Sequence, residues 1–303
     1  MAEKFIDYNS CPVCGSAAIS FALKAKDHTV SGKEFEIWEC GRCTLRFTQH
    51  VPDASSISPY YQSEDYISHT ETNKGIVNRL YHRVRKRTLL TKRKLIERSL
   101  GKKQMQEQGR LLDIGAGTGA FVAHMNQSGW IGVGLEPDQN ARKRAADIHD
   151  IKLLPVEEIN SFGSQAFDAI TLWHVLEHVH DLHAYMGRLV EMLKKKGRII
   201  IAVPNYTSYD GQYYGQYWAA YDVPRHLYHF SPGSMRELTS RHGLTVHEVV
   251  PMWFDAFYIS LLSEKYKTGS SRLPAGFYRG AISNLKTGAD KEKCSSLVYV
   301  LGE

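Results

Sequence analysis

Residues 110–136 read RLLDIGAGTGAFVAHMNQSGWIGVGLE, and no other stretch restricts the possible folds as much. An apolar run at 111–114 leads into Gly115, Gly117 and Gly119 at alternate positions. A helix-forming segment from about Ala120 to Gln127, a second apolar run and an acid follow. Strand, glycine turn, helix and strand open an α/β sheet in which glycines permit a tight turn and a close approach of backbone to ligand. The start of the helix presents free N–H groups and the positive end of its dipole to an anionic group. Glu136 ends the second strand, where a carboxylate can accept both hydroxyls of a ribose. The same order also serves NAD and FAD, but two details favour S-adenosylmethionine (SAM). The glycines run G-A-G-T-G and not G-x-G-x-x-G. Asp113 stands two residues before the first of them, in place to meet the ammonium of a methionine moiety.

The net charge of +6 on 303 residues is unevenly distributed. Residues 71–110 hold 13 Lys or Arg against three acids, a net +10 that leaves the rest of the chain near −4. Leu80, Val84, Leu89, Leu90 and Leu95 recur there at helical intervals, so a helix over 74–103 with one packed and one cationic face is expected. Its cations suit a solvated surface first and a phosphate-bearing partner, nucleic acid included, second. The first residues show no basic segment followed by an apolar one. Nowhere do about 18 apolar residues run unbroken, so a cytoplasmic chain without a membrane span is expected.

Four of the five cysteines form two pairs, Cys11-Pro-Val-Cys14 and Cys40-Gly-Arg-Cys43. Two such knuckles close a tetrahedral thiolate site around one zinc, and in a cytosolic chain a disulfide explains them less well. Gly15 and Gly41 are expected to supply the turns, and the alternation in KEFEIWE suggests a hairpin strand entering the second knuckle. Four thiolates leave no position for water, so this zinc is expected to be structural. A redox dithiol is the alternative.

From Gly109 onward, strands and helices alternate as in a doubly wound, mostly parallel sheet. Seven strands are expected, at 110–114, 131–135, 151–154, 168–172, 198–203, 245–250 and 297–301. The domains expected are a zinc-ribbon-like module at 1–50, a connector and basic helix at 51–108, and a Rossmann-like domain at 109–303. Two insertions, near 205–235 and 252–293, are expected where substrate is chosen.

Residues 167–205, FDAITLWHVLEHVHDLHAYMGRLVEMLKKKGRIIIAVPN, resemble the middle of class I SAM-dependent methyltransferases. The shared features are a strand led by Asp168, a V-L-E-H run, a helix, and a strand ending in Pro-Asn. Lys195-Lys196-Gly197 replaces the usual Pro-Gly-Gly turn. The resemblance covers about 109–250 and, less closely, the final SSLVYV. Trp218 and DVPRHLYHFSP at 222–232 are similar to a bacterial methyltransferase subgroup, and to sugar methyltransferases with an N-terminal zinc-binding domain. The latter carry His-Glu-His ahead of a Phe-Ser pair and use the His and Glu as base. Here Arg225 replaces the acid, so the resemblance assigns the base to His226.

The resemblance implies SAM as cofactor, held by Asp113, Gly115, Gly117, Gly119, Glu136, Trp173 and His174. Glu157 is added near the adenine from its loop position. Imidazole titrates near neutrality, so His226 can take the proton of a nucleophile, and Arg225 can grip a substrate anion in its fork. His174, Glu177, His178 and His180 look like metal ligands in spacing, but the resemblance places them in a structural helix start, without a catalytic metal. Tyr206, Tyr209, Tyr213, Tyr214, Tyr217, Trp218 and Tyr221 offer aromatic faces to a sugar or ring. The expected reaction is methyl transfer from SAM to a small-molecule or lipid-linked acceptor, a sugar among the candidates. An RNA base methyltransferase is the rival enzyme. It is disfavoured because Leu172-Trp173-His174 stands where amino methyltransferases of bases often carry N-P-P-[YF]. A non-catalytic SAM fold carrying a zinc-ribbon binding module is the third reading.

Overall fold

The computed structural model describes residues 3–62, 76–101, 108–270 and 272–303, the side chains of 76–86 excepted. The chain divides into two compact units. One comprises residues 1–69, 176–183 and 202–299, and the other 70–175, 184–201 and 300–303.

The N-terminal segment is all β: β1 (Phe5–Ile6), β2 (Ile19–Lys26), β3 (Glu34–Cys40), β4 (Arg46–Thr48) and β5 (Val51–Pro52). β2 and β3 form the expected hairpin, with Ile19 opposite Cys40. Their alternation puts Phe35 and Ile37 inside, as a half-buried strand requires.

In the second unit, helix α1 (Ile76–Leu100) is the described part of the expected basic helix, and it buries Leu95 and Ile96. Lys74, Lys102 and Lys103 lie outside the described residues, as does the connector beyond Gln62. β6 (Arg110–Ile114), α2 (Ala120–Gln127), β7 (Ile131–Leu135), α3 (Gln139–His149), β8 (Phe167–Trp173), α4 (Leu182–Met192) and β9 (Leu193–Pro204) follow. β6 pairs in parallel with β7 and with β8, and Asp113 lies between Gly134 and Thr171. Leu111, Leu112 and Ile114 are all buried, the pattern of a strand covered on both faces.

The remaining elements are α5 (Tyr209–Tyr214), β10 (Tyr228–His229), α6 (Pro232–Arg241), β11 (Thr245–Pro251), α7 (Asp255–Thr268), α8 (Leu273–Ala289) and β12 (Ser296–Gly302). The central sheet has six strands in the order β11-β12-β9-β8-β6-β7, a mostly parallel Rossmann-like arrangement. The seventh strand expected at 151–154 is absent; only Leu154 bridges to Leu135. Pro155 follows directly, has no N–H to donate, and stops the ladder.

The first unit joins pieces far apart in sequence. β10 pairs with β4, setting Tyr228 opposite Phe47, in a sheet ordered β10-β4-β3-β2. The N-terminal segment with the four paired cysteines therefore shares one compact unit with residues 205–235. Its core joins Phe35 and Ile37 to Tyr206, Tyr214, Trp218 and Tyr221. Those four aromatics were expected to face an acceptor and are instead packed inside. Trp218 donates to the Asp210 carboxylate at 2.9 Å, and Arg46 lies 4.3 Å from the Tyr206 ring centre while donating to the Tyr221 hydroxyl at 2.7 Å. Partners of this kind serve the polar ends of the buried Trp218 and Tyr221 rings.

Candidate functional site

The glycine turn between β6 and α2 separates three roles that the spacing alone merges. Gly115, Gly117 and Gly119 have φ of 70°, 56° and 74°, left-handed values that glycine adopts without strain. A Cβ at Gly115 would lie 2.4 Å from Val175 Cγ2, and one at Gly119 2.5 Å from Ile151 Cδ1. Those two glycines serve packing. At Gly117 a Cβ would meet nothing within 4 Å, so of the three glycines only this one borders open space. No side chain caps α2, which leaves its first amides available.

Glu136 turns back onto this loop. One carboxylate oxygen accepts from the Gly117 N–H at 2.7 Å and the other from the Asp138 N–H at 3.0 Å, while burial raises its pKa. Asp113 is buried beneath, accepting from the Thr171 hydroxyl at 2.6 Å. Burial pushes its pKa up to about 6, against that hydrogen bond and the charge of Lys92. Lys92, from the described part of the basic helix, sits 3.9 Å from the Trp173 ring centre. No motif marked Lys92; its place depends on how α1 packs. Trp173 Nε1 is buried without a hydrogen-bond partner among the described residues. His174 has a positive φ of 57°, and Glu157 is exposed on a 3-10 turn, Val156–Ser161. The open face at Gly117, the uncapped helix start, two acids and an orphaned indole donor fit a cofactor with a ribose, an ammonium and a carboxylate.

The first unit holds a separate group of acids and imidazoles. The Nδ1–H of His226 donates to the Ala220 carbonyl at 2.9 Å, which leaves Nε2 as the basic nitrogen, 3.9 Å from Asp222 Oδ2. The Nδ1–H of His178 is shared between the Arg225 carbonyl at 2.9 Å and the Tyr61 hydroxyl at 3.0 Å. The two rings meet edge to face, 4.6 Å between centres. Burial and the neighbouring His226 lower the His178 pKa to about 4. One ligand atom from each of Glu177, His178 and His226 lies within 4.8 Å of the others. His174 and His180 are not among them, and His180 donates to the Pro52 carbonyl at 3.1 Å. The V-L-E-H run signalled Glu177 and His178; only the fold brings His226 to them.

Arg225 does not reach for a substrate. Its guanidinium is 1% exposed and donates to Asp222 at 2.6 and 3.0 Å, to Asp27 at 3.1 Å, to the Tyr60 carbonyl at 2.8 Å and to the Thr29 hydroxyl. A fork this fully engaged has no face left for a ligand, so the grip expected of it is replaced by a brace. Asp27 resists burial because Ser31 and Arg225 hold its carboxyl at about 2.

The four knuckle sulfurs converge, with Cys11 to Cys43 and Cys14 to Cys40 both at 3.5 Å. The Cys14 and Arg42 amides point at sulfur, at 3.5 and 3.4 Å. Gly15 takes the left-handed turn at φ 69°, as expected, but its counterpart is Thr44 at φ 61° and not Gly41. The Thr44 hydroxyl holds that conformation by bonds to the Cys43 carbonyl at 2.6 Å and to Ser231 at 2.7 Å. The hydrogen bond from Cys43 lowers the Cys11 thiol to about 5, and the same contact with burial raises Cys43. Only a cation lets all four be thiolates together, so the donor set fits zinc.

Residues 81–249 match the family model described as a methyltransferase domain. The mitochondrial ubiquinone biosynthesis O-methyltransferase of Homo sapiens is 26% identical over 167 residues, covering 49% of this chain and 44% of that protein. The ubiquinone biosynthesis O-methyltransferase of Rhodopseudomonas palustris is 32% identical over 104 residues, 32% of this chain and 40% of the relative. The chain thus spans less than half the length of these curated relatives. Among solved structures, a SAM-dependent methyltransferase from Archaeoglobus fulgidus aligns with a TM-score of 0.47 at 16% identity, over 72% of this chain and 94% of that one.

Proposed function

We propose that this chain, which belongs to the methyltransferase-domain family, transfers the methyl group of SAM to a hydroxyl of a small-molecule or lipid-linked acceptor, with His226 as base. The observation that carries this is the fixed tautomer of His226, whose Nδ1–H is committed to the Ala220 carbonyl and whose Nε2 stays basic. The two ubiquinone-biosynthesis relatives, named as O-methyltransferases, support an oxygen nucleophile on a small organic molecule. A sugar hydroxyl is within the same class.

Gly117, Glu136, Asp113, Trp173 and His174 would hold SAM, with Gly115 and Gly119 shaping the turn and Glu157 toward the adenine. When bound, SAM supplies an electrophilic methyl whose leaving sulfur becomes neutral, so rate depends mainly on holding the nucleophile close and in line. His226 Nε2 takes the acceptor proton, and the Asp222 carboxylate stabilises the imidazolium that results. Arg225 acts as a positioning residue, holding Asp222 behind His226. The Cys11, Cys14, Cys40 and Cys43 thiolates would hold a structural zinc.

Methyl-labelled SAM and a fractionated bacterial extract test this directly. Label should enter the organic-soluble or saccharide pool, and His226→Asn should remove it while calorimetric SAM binding persists. Nuclease-sensitive label would replace this acceptor class with RNA. Glu136→Ala should remove SAM binding itself.

A second reading rests on one observation, the convergence of Glu177, His178 and His226 within 4.8 Å. Both imidazoles have their Nδ1–H anchored on carbonyls, the arrangement that aims Nε2 at a cation. A divalent ion there would orient the acceptor oxygen. Metal analysis distinguishes the two: a second equivalent lost in Glu177→Gln supports the ion, and a single equivalent unaffected by that change supports the base alone.

A further inference from the structure

Helix α8 is turned inside out. Gly276, Gly280, Ser283 and Thr287 form its buried stripe, at the spacing of one helix face. A Cβ at Gly276 would lie 2.9 Å from Leu261 Cα, and one at Gly280 2.8 Å from Phe257 Cα. The helix is therefore pressed backbone-close onto α7 through its small residues. Its large side chains stand exposed outside that stripe, with Tyr278 62%, Leu285 76% and Phe277 55% exposed, the last at the edge of the α7 contact, where its ring lies 5.6 Å from that of Phe257. Leu273 extends the strip by one turn, and Trp253, Phe254 and Tyr258 add exposed rings around the start of α7. Of the eleven large apolar side chains exposed among the described residues, seven fall within 253–285, which makes a patch and not scatter.

Charge decides what covers it. Residues 253–293 carry seven Lys or Arg against four acids. Glu264 is buried, Asp255 is half-buried and Glu292 is half-buried and paired with Arg236, so among the described residues of this segment only Asp290 is a fully exposed acid. Lys265, Lys267 and Arg272 stand exposed at the turn that enters α8, and Lys286, Lys291 and Lys293 at its other end. Cations thus flank both ends of an apolar, aromatic strip. A second copy is a poor partner: antiparallel α8 helices would set Arg272 of one chain against Lys286 and Lys291 of the other. An anionic lipid surface satisfies both the strip and its flanks.

We propose that the α7–α8 face docks this protein onto a membrane leaflet rich in anionic phospholipid, with α8 lying in the plane of the interface. Attachment is peripheral, since no helix among the described residues is long and apolar enough to cross a membrane.

The test is flotation of the full chain with vesicles of phosphatidylglycerol and phosphatidylcholine in equal parts, against pure phosphatidylcholine. Wild type should partition at least about tenfold more onto the anionic vesicles and lose that preference at high salt. The double substitution Tyr278→Glu/Leu285→Glu should cut binding at least about tenfold, with melting temperature and SAM affinity unchanged. Equal flotation of wild type and double variant would overturn the proposal and move the lipid contact to another basic surface such as α1. Absence of flotation, with a wild-type dimer in sedimentation that the double variant splits, would overturn it in favour of a second copy.

Discussion

The two compact units differ in how their functional residues are gathered. The cradle unit draws Asp113, Gly115, Gly117 and Glu136 from 24 consecutive residues, 113–136, within one strand-turn-helix-strand unit. The unit holding His226 takes Asp27 and Tyr60 from one segment, Glu177 and His178 from a second, and Asp222, Arg225 and His226 from a third. A site made by local geometry leaves its spacing in the sequence, whereas one assembled across the fold leaves residue types without their partners. The cradle is also braced mainly by backbone amides, and the other site by buried ion pairs and thiolates. The two should therefore fail differently.

The largest separation should come from removing the zinc proposed at Cys11, Cys14, Cys40 and Cys43. Structural zinc is worth on the order of 10 kcal/mol in small domains. Cys11→Ser with Cys40→Ser, or chelation, should abolish the near-ultraviolet dichroism of Trp38 and Trp218 while calorimetry still finds SAM bound. Loss of both together would show that the units do not fail separately. Arg225→Met leaves the buried Asp27 and the half-buried Asp222 without their cation, so urea unfolding should show a loss of about 3–5 kcal/mol. Arg225→Lys should recover little, because an ammonium cannot reproduce the fork.

In the cradle, Gly115→Ala and Gly119→Ala should each cost about 2–4 kcal/mol, from left-handed strain plus a clash below 3 Å. Gly117→Ala should cost only about 1 kcal/mol in stability yet weaken SAM binding about tenfold or more, equivalent to about 1.4 kcal/mol. Equal effects of the three substitutions on SAM affinity would erase the distinction between packing glycines and the ligand-facing one.

Two effects of opposite sign are spread over pH. Asp27 is held at about 2, below its unfolded value, so its contribution is complete above about pH 4 and is lost as pH falls toward 2, about 2 kcal/mol in all. Asp113 is raised to about 6, so the folded state binds the extra proton between about pH 6 and 4, and stability rises by about 1–3 kcal/mol as pH falls through that window. Asp27→Asn and Asp113→Asn should each flatten only its own window in thermal melts across pH.

Much of this protein was legible before its fold. The order of the sheet elements, the glycine cradle, both knuckles and the β2–β3 hairpin are local patterns, and each strand expected in the sheet formed except the one that Pro155 cut short. Arg225 and the aromatic run from Tyr206 to Tyr221 were misread for one reason. A fork or a ring looks the same in sequence whether it faces a ligand or a neighbour across the core, and burial depends on segments 162 to 198 residues apart. Thr44 in place of Gly41 followed the same rule, because a hydroxyl bond to distant Ser231 stabilised a backbone angle that propensity assigns to glycine.

By itself, the sequence determined what depends on neighbours a few residues away: periodicity, turns, ligand spacing and the residue types able to carry charge to a cofactor. The tertiary structure decided which charges are spent. It placed Lys92 beside Trp173, closed Arg225 in its carboxylates, joined His226 to His178 and turned the large face of α8 outward. Each of those outcomes is set by desolvation and packing against residues distant in the chain, and none has a local signature.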